Sequence, residues 1–496
     1  MLRELDWIAS RARLYPNDPA VILSETDETF TYQEIDDRAA RLSRFFIQKG
    51  IGKGDRVALL APNDLSYFDF LFACMKTGAI FVPLNWRLSE SDLTYVLEDC
   101  EPKLVGIHDE MLDDHAWMVD TYDTIQISSP IYIEKLSVSR SFDLQAVPLI
   151  ETDPLAMVYT GGTTGKPKGA VLSHRSILWN GLNTIISWGL TKEDCTLTAI
   201  PMFHSGGLNA LSTPVLLAGG TVVLQSKFEP VEAVRNLLNY QCSIVLFIPT
   251  MYHMITQTEI FQESDFPQMK VFLSGGAPCP LTIYERFIEK GLEFKEGYGL
   301  TEAGPNNFYI DPRIAKLKKG SVGKEMMFNQ IRIADEEGEP VELGEVGELW
   351  LRGNHLFEFY WNDEEETETS ITDGWLKTGD LARRDEDGFV YIIGRKKEMI
   401  ISGGENIYPL EIEHWLQSHE AIDEVAVLGV PDEKWGEKVV AYVSLKEGEL
   451  TEDDLEQYCA EKLSRYKIPK TFHIIDELPK THVGKIDKNA LLTAAE

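Results

Sequence analysis

The feature that most constrains the fold is an apolar segment that leads directly into a run of glycine, threonine and lysine. Residues 157–159 are Met-Val-Tyr, and residues 160–169 read Thr-Gly-Gly-Thr-Thr-Gly-Lys-Pro-Lys-Gly. Glycine lets backbone N–H groups approach an anion closely, while threonine hydroxyls and lysine ammonium groups add donors and positive charge. A strand that ends in such a loop predicts a phosphate-binding site at the edge of a sheet.

The spacing of this loop differs from that of the common nucleoside triphosphatase loop. Three residues separate Gly161 from Gly165, and Pro167 follows Lys166. The common pattern has four residues between the glycines and a hydroxyl residue after the lysine. An ordinary P-loop enzyme is therefore disfavoured, and taken alone the run also fits a flexible surface loop.

Length, charge and cysteine usage exclude several classes of protein. The 496 residues are too many for one hydrophobic core, so we expect two or more domains. A net charge of −33 disfavours binding to nucleic acid or to an anionic membrane surface. The six cysteines show no metal-binding spacing, and we expect neither a signal peptide nor an integral membrane segment. We expect a cytoplasmic protein.

Short apolar runs alternate with amphipathic segments, which predicts an α/β fold built from strand–helix–strand units. The expected helices are residues 32–49 and 67–77, and the expected strands are 55–60, 79–82, 243–247 and 270–273. The last strand ends in a second glycine loop, residues 274–278. Because ligands gather beyond the carboxyl ends of strands in open α/β sheets, the two glycine loops are expected to face one crevice.

The pattern changes near residue 321. Short strands at 331–333, 347–352 and 390–393 are separated by glycine-rich turns, as in a small β-barrel or sheet. Beyond a charged junction, the runs 411–417, 425–430, 439–445 and 455–463 predict a separate α+β domain. The domain boundary is placed near Lys397.

Five sequence blocks follow one another in an order that identifies a family. They are residues 159–169, 297–302 (Gly-Tyr-Gly-Leu-Thr-Glu), 377–380 (Lys-Thr-Gly-Asp), 394–398 (Gly-Arg-Lys-Lys-Glu), and 479–481 with 484–485. In these blocks the chain resembles the adenylate-forming enzymes, which include acyl-CoA synthetases, aryl-CoA ligases, nonribosomal peptide adenylation domains and beetle luciferases. The resemblance implies a large N-terminal domain, residues 1–396, of two stacked αβ subdomains plus a small β-barrel. It also implies a small mobile α+β C-terminal domain, residues 397–496.

The resemblance implies an AMP-forming acid–thiol ligase that uses ATP, Mg²⁺ and coenzyme A. A carboxylate would attack the α-phosphorus of ATP to give an acyl-adenylate and pyrophosphate, and a thiol would then displace AMP. Bringing two anions together needs cations and N–H donors more than acid–base groups. Lys485 is implied to bridge the carboxylate and the α-phosphate, with Thr301 and Glu302 as further catalytic residues. Taken alone, a lysine in a Lys-rich tail such as this one fits a surface residue.

The same resemblance implies a set of nucleotide-binding residues. They are Thr160, Gly161, Gly162, Thr163, Thr164, Gly165 and Lys168 in the first glycine loop, Gly275, Gly276, Ala277 and Pro278 in the second, and Tyr298, Asp380 and Arg395 elsewhere. Tyr298 would stack on adenine, Asp380 would accept the ribose hydroxyls, and Arg395 would reach the ribose or phosphate. Thr160 and Glu302 would reach the magnesium ion. Singly, Tyr298 also fits a core residue, Asp380 a turn residue and Arg395 a solvated charge.

A second half-reaction is implied by the charged junction. In the family, the small domain rotates about a hinge residue that matches Lys397 and presents another face for attack by the thiol. Gly403 and Gly404, within residues 402–406, would then line the channel for the pantetheine arm. Pro409 is expected to begin a helix.

The identity of the carboxylic acid substrate is the least determined part of the predicted function. His204, in Pro-Met-Phe-His, resembles the residue that lies beside the acyl group in CoA ligases, although a lone histidine also fits a structural role. Enzymes for small acids carry a tryptophan where this chain has Gly299, so Gly299 is expected to leave room in the pocket. Residues 203–208 offer no aspartate for an ammonium group, which favours an amine-free acid. A medium or long fatty acid is favoured, and an aryl or cyclic acid of the cinnamate or o-succinylbenzoate type stays open.

Two other functions remain open. The enzyme could load a carrier protein instead of free CoA, and a non-enzymatic nucleotide-sensing homologue would be expected to have lost Lys485 or Glu302, both of which are present. The expected partners are therefore a small carboxylic acid, ATP and CoA, with no nucleic acid. Whether the chain forms a homodimer is open.

Overall fold

The computed structural model describes residues 5–136, 148–161, 166–446, 450–481 and 486–495, with side chains as far as residue 492. These residues form four sheets surrounded by helices. None of the helices within this described part is long and apolar enough to cross a membrane.

The first sheet has seven strands and is parallel except for the hairpin at one end. In spatial order its strands are Phe294–Glu296, Val271–Ser274, Ile244–Phe247, Cys195–Thr198, Thr221–Leu224, Pro19–Leu23 and Glu28–Thr31. The two strands predicted at 243–247 and 270–273 are neighbours here, and both are buried as continuous apolar runs should be.

The second sheet also has seven strands and carries the glycine–threonine loop. In spatial order its strands are Phe359–Tyr360, Pro167–Ser173, Pro154–Gly161, Ile80–Pro83, Arg56–Leu60, Leu104–His108 and Thr124–Ile127. The strands Pro154–Gly161 and Pro167–Ser173 form an antiparallel hairpin, and residues 162–165 of its loop lie outside the described residues.

The third and fourth sheets follow along the chain. The third is antiparallel, with strands Phe308–Tyr309, Ser321–Glu325, Val390–Arg395, Trp375–Arg384, Val346–Arg352 and Gln330–Ala334 in spatial order and Ile371–Thr372 beside Trp375–Arg384. The fourth contains Glu405–Ile407, Ile400–Ser402, Gly436–Leu445 and Ile422–Asp432, with Thr471–Ile474 parallel to Gly436–Leu445. This last sheet and its helices have a core of their own. The boundary at residue 397 stays a prediction.

The helices connect and cover the sheets. The α-helices are Trp7–Leu14, Tyr32–Gln48, Ser66–Thr77, Glu90–Cys100, Ala116–Thr121, Tyr132–Lys135, His174–Trp188, Ser205–Asn209, Ser212–Ala218, Pro230–Asn239, Pro249–Thr256, Glu259–Glu263, Leu281–Glu289, Pro312–Ala315, Glu364–Ser370, Pro409–Gln417, Glu452–Ala460 and Lys488–Ala495, and the 3₁₀ helices are Asp109–Met111, Thr301–Ala303 and Lys396–Glu398. Local capping interactions determine where these helices begin and end. Thr31 and Glu34 form a capping box, and Gly78 closes helix Ser66–Thr77 with a φ of 75°.

One ion pair joins two helices in the large hydrophobic core that the first two sheets share. The guanidinium of Arg38 donates to both carboxylate oxygens of Asp69 at 2.9 and 2.6 Å and to the carbonyl of Pro130 at 2.8 Å. Tyr132 donates a further hydrogen bond to Asp69, whose side chain has no exposed surface. A carboxylate buried this completely depends on its cation, because unpaired charge in an apolar interior is costly.

Replacing Arg38 with leucine is therefore expected to lower the free energy of unfolding by about 3 kcal/mol, because the charge of Asp69 would remain buried without its partner. Lys49→Leu is the matched control, since the Lys49–Asp123 pair is 36% and 50% exposed and should contribute less than about 1 kcal/mol. Urea unfolding followed by circular dichroism measures both. Equal losses in the two variants would contradict this assignment.

Candidate active site

The most constrained part of the site is the turn at residues 297–305, which follows the edge strand Phe294–Glu296 of the first sheet. The N–H of Leu300 bonds to the carbonyl of Gly304 at 3.2 Å and so closes the turn around the 3₁₀ helix Thr301–Ala303. Gly304 has a φ of 66°, a conformation that favours glycine. The turn thus presents Thr301 and Glu302 from a rigid backbone.

Glu302 is held from two directions. Its side chain accepts a hydrogen bond from the hydroxyl of Tyr360 at 2.7 Å, and its backbone carbonyl accepts one from the N–H of Phe357 at 2.8 Å. Glu302 is only 9% exposed. Burial, together with the nearby carboxylate, raises the pKa of Tyr360, so the phenol stays a donor. A buried carboxylate fixed in this way is a suitable oxygen ligand for magnesium.

The glycine–threonine loop is anchored at both of its ends. Thr160 pairs with Lys168 and Gly161 with Pro167 across the hairpin, and the strand Pro167–Ser173 neighbours the helix Thr301–Ala303. Tyr159 donates to the carboxylate of Asp99 at 2.5 Å. The ends of the hairpin therefore lie near the turn that carries Glu302, and the predicted role of the loop between them stays a prediction. Gly162, Thr163, Thr164 and Gly165 lie outside the described residues.

Lys168 has acidic neighbours in this structure. Its ammonium group lies 2.8 Å from Glu366 and 3.9 Å from Asp363, and it also lies 5.8 Å from the ring centroid of Tyr360. These two carboxylates belong to an acidic segment whose helix, Glu364–Ser370, buries none of its residues. A phosphate at Lys168 would thus compete with these carboxylates for the same cation.

Tyr298, Asp380 and Arg395 come together from three strands or turns far apart in the sequence. The hydroxyl of Tyr298 donates to one oxygen of Asp380 at 2.5 Å, and the guanidinium of Arg395 lies 2.7 Å from the other oxygen. Asp380 is 6% exposed. Asp380 and Arg395 are cross-strand partners in the third sheet, whereas Tyr298 follows the first sheet. The three residues predicted to bind the nucleoside therefore meet at the carboxylate of Asp380.

The second glycine loop lies beside this contact. The N–H of Gly297 bonds to the carbonyl of Ser274 at 2.8 Å, so residues 274–275 and 297 are neighbours at the carboxyl ends of adjacent strands. Gly276 has a φ of 81°, which an L side chain rarely adopts. Ala277 and Pro278 continue this loop before helix Leu281–Glu289. The arrangement agrees with the rule that ligands bind beyond the carboxyl ends of strands.

His204 lies on the loop before helix Ser205–Asn209, with its ring 4.4 Å from the ring of Phe203. It is half-buried, and the residue after it, Ser205, lines a cavity together with Gly304 and Pro305. The loop of His204 thus approaches the turn that carries Glu302 near Gly304 and Pro305. Its role toward the acid stays a prediction.

The junction to the last sheet is a short 3₁₀ helix that contains Lys397. Lys488 bridges Glu398 at 3.1 Å and Glu413 at 2.8 Å, so charges from the C-terminal helices hold this junction. Gly403 and Gly404, with φ of 61° and 87°, form the exposed tip of the hairpin between Ile400–Ser402 and Glu405–Ile407. Helix Pro409–Gln417 begins at Pro409 as predicted, and Lys485 lies outside the described residues.

The interpretation of Gly299 as a residue that leaves pocket space does not agree with the structure. A Cβ atom built on Gly299 would overlap the carbonyl group of Pro305. The space is already filled by backbone, because the turn folds back on itself at this point. Gly299 is needed for this close approach, and the size of the acyl pocket has to be judged from other residues.

Several residues of the site could not be found from sequence motifs. Tyr360, which holds Glu302, belongs to a short strand with no recognisable spacing relative to residue 302. Asn180 and His355, which line the cavity behind the turn, come from a helix and a loop and are likewise distant in sequence. Only the fold brings them to the turn.

Comparison with known proteins decides the family. A family model described as AMP-binding enzyme matches residues 8–361, and one described as AMP-binding enzyme C-terminal domain matches residues 411–485. The chain belongs to the AMP-binding enzyme family. This confirms the adenylate-forming family suggested by the five sequence blocks.

Relatives of this family match over nearly their whole length. A feruloyl-CoA synthase from Amycolatopsis sp is 37% identical, covering 97% of each chain, and a long-chain-fatty-acid–CoA ligase of Mycobacterium tuberculosis is 34% identical, covering 99% of this chain and 98% of its own. The o-succinylbenzoate CoA synthetase of Bacillus subtilis, solved with an acyl-adenylate intermediate, has a TM-score of 0.89 at 31% identity, covering 98% and 97%.

These similarities confirm three predictions at the level of the family. They are the α/β fold class with a large N-terminal and a small C-terminal part, the class of AMP-forming acid–thiol ligases, and the use of ATP, magnesium and CoA. These similarities do not decide the roles of individual residues or the identity of the acid substrate.

Gly299→Ala is expected to lower activity at least about 100-fold, because the added methyl would displace the Pro305 backbone and move Glu302 by an appreciable fraction of an ångström. Gly297→Ala is the control, since the nearest atom to its added Cβ would be 3.7 Å away. ATP–pyrophosphate exchange measures both variants. A fully active Gly299→Ala enzyme would show that the close approach is unimportant.

Proposed function

We propose that this chain converts a carboxylic acid, ATP and CoA to the acyl-CoA thioester, AMP and pyrophosphate through an acyl-adenylate. What supports the proposal most is the meeting of Tyr298, Asp380 and Arg395 beside the buried carboxylate of Glu302. Such a site offers an aromatic face, hydrogen-bond acceptors and a cation at the carboxyl ends of parallel strands.

The residues present fit ATP with magnesium. In this proposal Glu302 and Thr160 hold the magnesium ion, which neutralises phosphate charge. Asp380 exchanges its bond with Tyr298 for the ribose hydroxyls, and Lys168 exchanges its acidic partners for phosphate oxygens.

Lys485 carries the positive charge at the reacting centre in this proposal. An ammonium group about 4 Å from a developing negative charge in a partly solvated site contributes on the order of 4 kcal/mol. After adenylation, rotation about Lys397 would bring the Gly403–Gly404 hairpin to the site for entry of the thiol. The hairpin tip is exposed here and so is free to serve as such a face.

The identity of the carboxylic acid substrate is also part of this proposal. The sequence favours a medium or long fatty acid, and the aryl alternative is supported as well, since the relatives include a feruloyl-CoA synthase and an o-succinylbenzoate CoA synthetase beside a fatty-acid ligase. Transfer to a carrier protein instead of CoA remains the second candidate for the acceptor. A cytoplasmic location stays a prediction.

The two half-reactions should be separable by mutation. Lys485→Ala is expected to lower acid-dependent pyrophosphate release about 1000-fold while leaving the formation of acyl-CoA from supplied acyl-adenylate nearly intact. Lys397→Pro should do the reverse, because proline restricts the backbone rotation that the hinge needs. Mass spectrometry of acyl-CoA and a coupled pyrophosphate assay measure the two steps.

The control for these variants is Lys470→Ala, which removes an exposed lysine from the same C-terminal part and should leave both steps unchanged. Equal damage to both steps by Lys485→Ala would refute the division of labour. Acyl transfer to an acyl carrier protein but not to CoA would favour the second candidate.

A further inference from the structure

Two cysteine side chains are in contact at the edge of the first sheet that lies opposite the second glycine loop. The sulfur of Cys195 is 3.8 Å from the sulfur of Cys242, and both residues are free thiols. All six cysteines lie in described parts of the chain, and the other four are buried singly. Only this pair therefore places two thiols where they can react with each other.

The backbone around the pair already has the spacing that a disulfide bond requires. Cys195 begins strand Cys195–Thr198, and Cys242 comes two residues before the neighbouring parallel strand Ile244–Phe247. Between them the N–H of Ser243 donates to the carbonyl of Cys195 at 2.8 Å. Neighbouring strands lie about 4.8 Å apart, and a disulfide joins Cα atoms that are about 4.4–6.8 Å apart. A cross-link here needs rotation of the two side chains rather than movement of the strands.

The two thiols differ in their access to solvent, which sets the order in which they react. Cys195 is half-buried, whereas Cys242 is 1% exposed. The contact with Cys195, together with burial, raises the pKa of the Cys242 thiol, so Cys242 stays protonated and donates to the sulfur of Cys195. A small oxidant therefore reaches Cys195 first, and Cys242 is held beside it as the second thiol.

The location of the pair separates it from the candidate active site. Both cysteines lie at the amino ends of parallel strands, whereas the second glycine loop and Tyr298 follow the carboxyl ends of strands in the same sheet. A bond between the two sulfurs would close residues 196–241 into a loop and so constrain the unfolded chain. It would tie two strands together without reaching the nucleoside contact.

We propose that Cys195 and Cys242 are an oxidation site, at which a small disulfide such as oxidised glutathione introduces a reversible disulfide bond that strengthens the fold. The thiolate of Cys195 attacks one sulfur of oxidised glutathione, breaks its S–S bond and releases one glutathione. The sulfur of Cys242 then attacks Cys195 and releases the second glutathione. Two protein thiols lose two electrons, the oxidant gains them, and the two thiol protons end on the two released glutathione molecules.

The same exchange runs backwards when reduced glutathione is in excess, so a reducing compartment keeps both thiols free and the bond reports oxidation. The formation of this bond does not depend on the proposed ligase function.

Mass spectrometry tests the cross-link directly. The reduced full chain is incubated with excess oxidised glutathione, unfolded in acid, and its remaining thiols are alkylated. The number of alkylated thiols is expected to fall from six to four, with Cys195 and Cys242 recovered in one linked peptide, and dithiothreitol should restore all six. Six alkylated thiols after oxidation, a cross-link between other cysteines, or glutathione that stays on Cys195 would overturn the inference.

Variants assign the bond to this pair. Cys242→Ala removes the second thiol, so Cys195 should keep one glutathione and form no linked peptide. Cys74→Ala is the matched control, because it makes the same change at a fully buried cysteine of helix Ser66–Thr77 and should still allow the cross-link. A linked peptide in oxidised Cys242→Ala, or its loss in Cys74→Ala, would contradict the assignment.

Thermal unfolding tests the effect on the fold. The oxidised wild type and oxidised Cys74→Ala should unfold roughly 5 °C above their reduced forms, because the bond constrains the unfolded chain, and Cys242→Ala should show no such rise. ATP–pyrophosphate exchange by the oxidised wild type should change less than about twofold, since the bond lies at the end of the sheet opposite the ligand site. An unchanged or lower unfolding temperature, or loss of exchange on oxidation, would contradict a role in strengthening the fold.

Discussion

The close approach of Gly299 to Pro305 is the constraint on which the rest of the site depends. It folds residues 297–305 into a turn that has no room for a side chain at its crossing point. Tyr360 and Phe357 hold Glu302 of this turn, and Gly304 and Pro305 of the same turn line a small cavity.

A second consequence is that parts far apart in the sequence must assemble before the site exists. Tyr298 belongs to the turn, whereas Asp380 and Arg395 pair across two strands of the third sheet. Arg395 directly precedes the junction at Lys397, so a change in the junction would be felt at the nucleoside contact. Under the proposed function, rotation about Lys397 would therefore be coupled to nucleotide binding through the carboxylate of Asp380.

The sequence predicts several helices and strands closely, because their signals are local. Helix Tyr32–Gln48 and the buried strand Ile244–Phe247 follow from periodicity and apolar runs, and both lie within one residue of the expected ends. The glycine loops and Tyr298, Asp380 and Arg395 were expected at one site because motif order identified the family. Tyr360, Asn180 and His355 were missed, since their contacts depend on long-range packing that leaves no local pattern. Gly299 was misinterpreted because a glycine that opens space and one that lets backbone pass look alike in sequence.

The central claim is that this turn brings an acid and ATP together so that the carboxylate is joined to AMP. Acid-dependent exchange of labelled pyrophosphate into ATP by the purified full chain measures this step directly, without CoA. The account predicts exchange that requires both magnesium and a carboxylic acid. Exchange with no carboxylic acid, despite a folded protein that binds ATP, would contradict it.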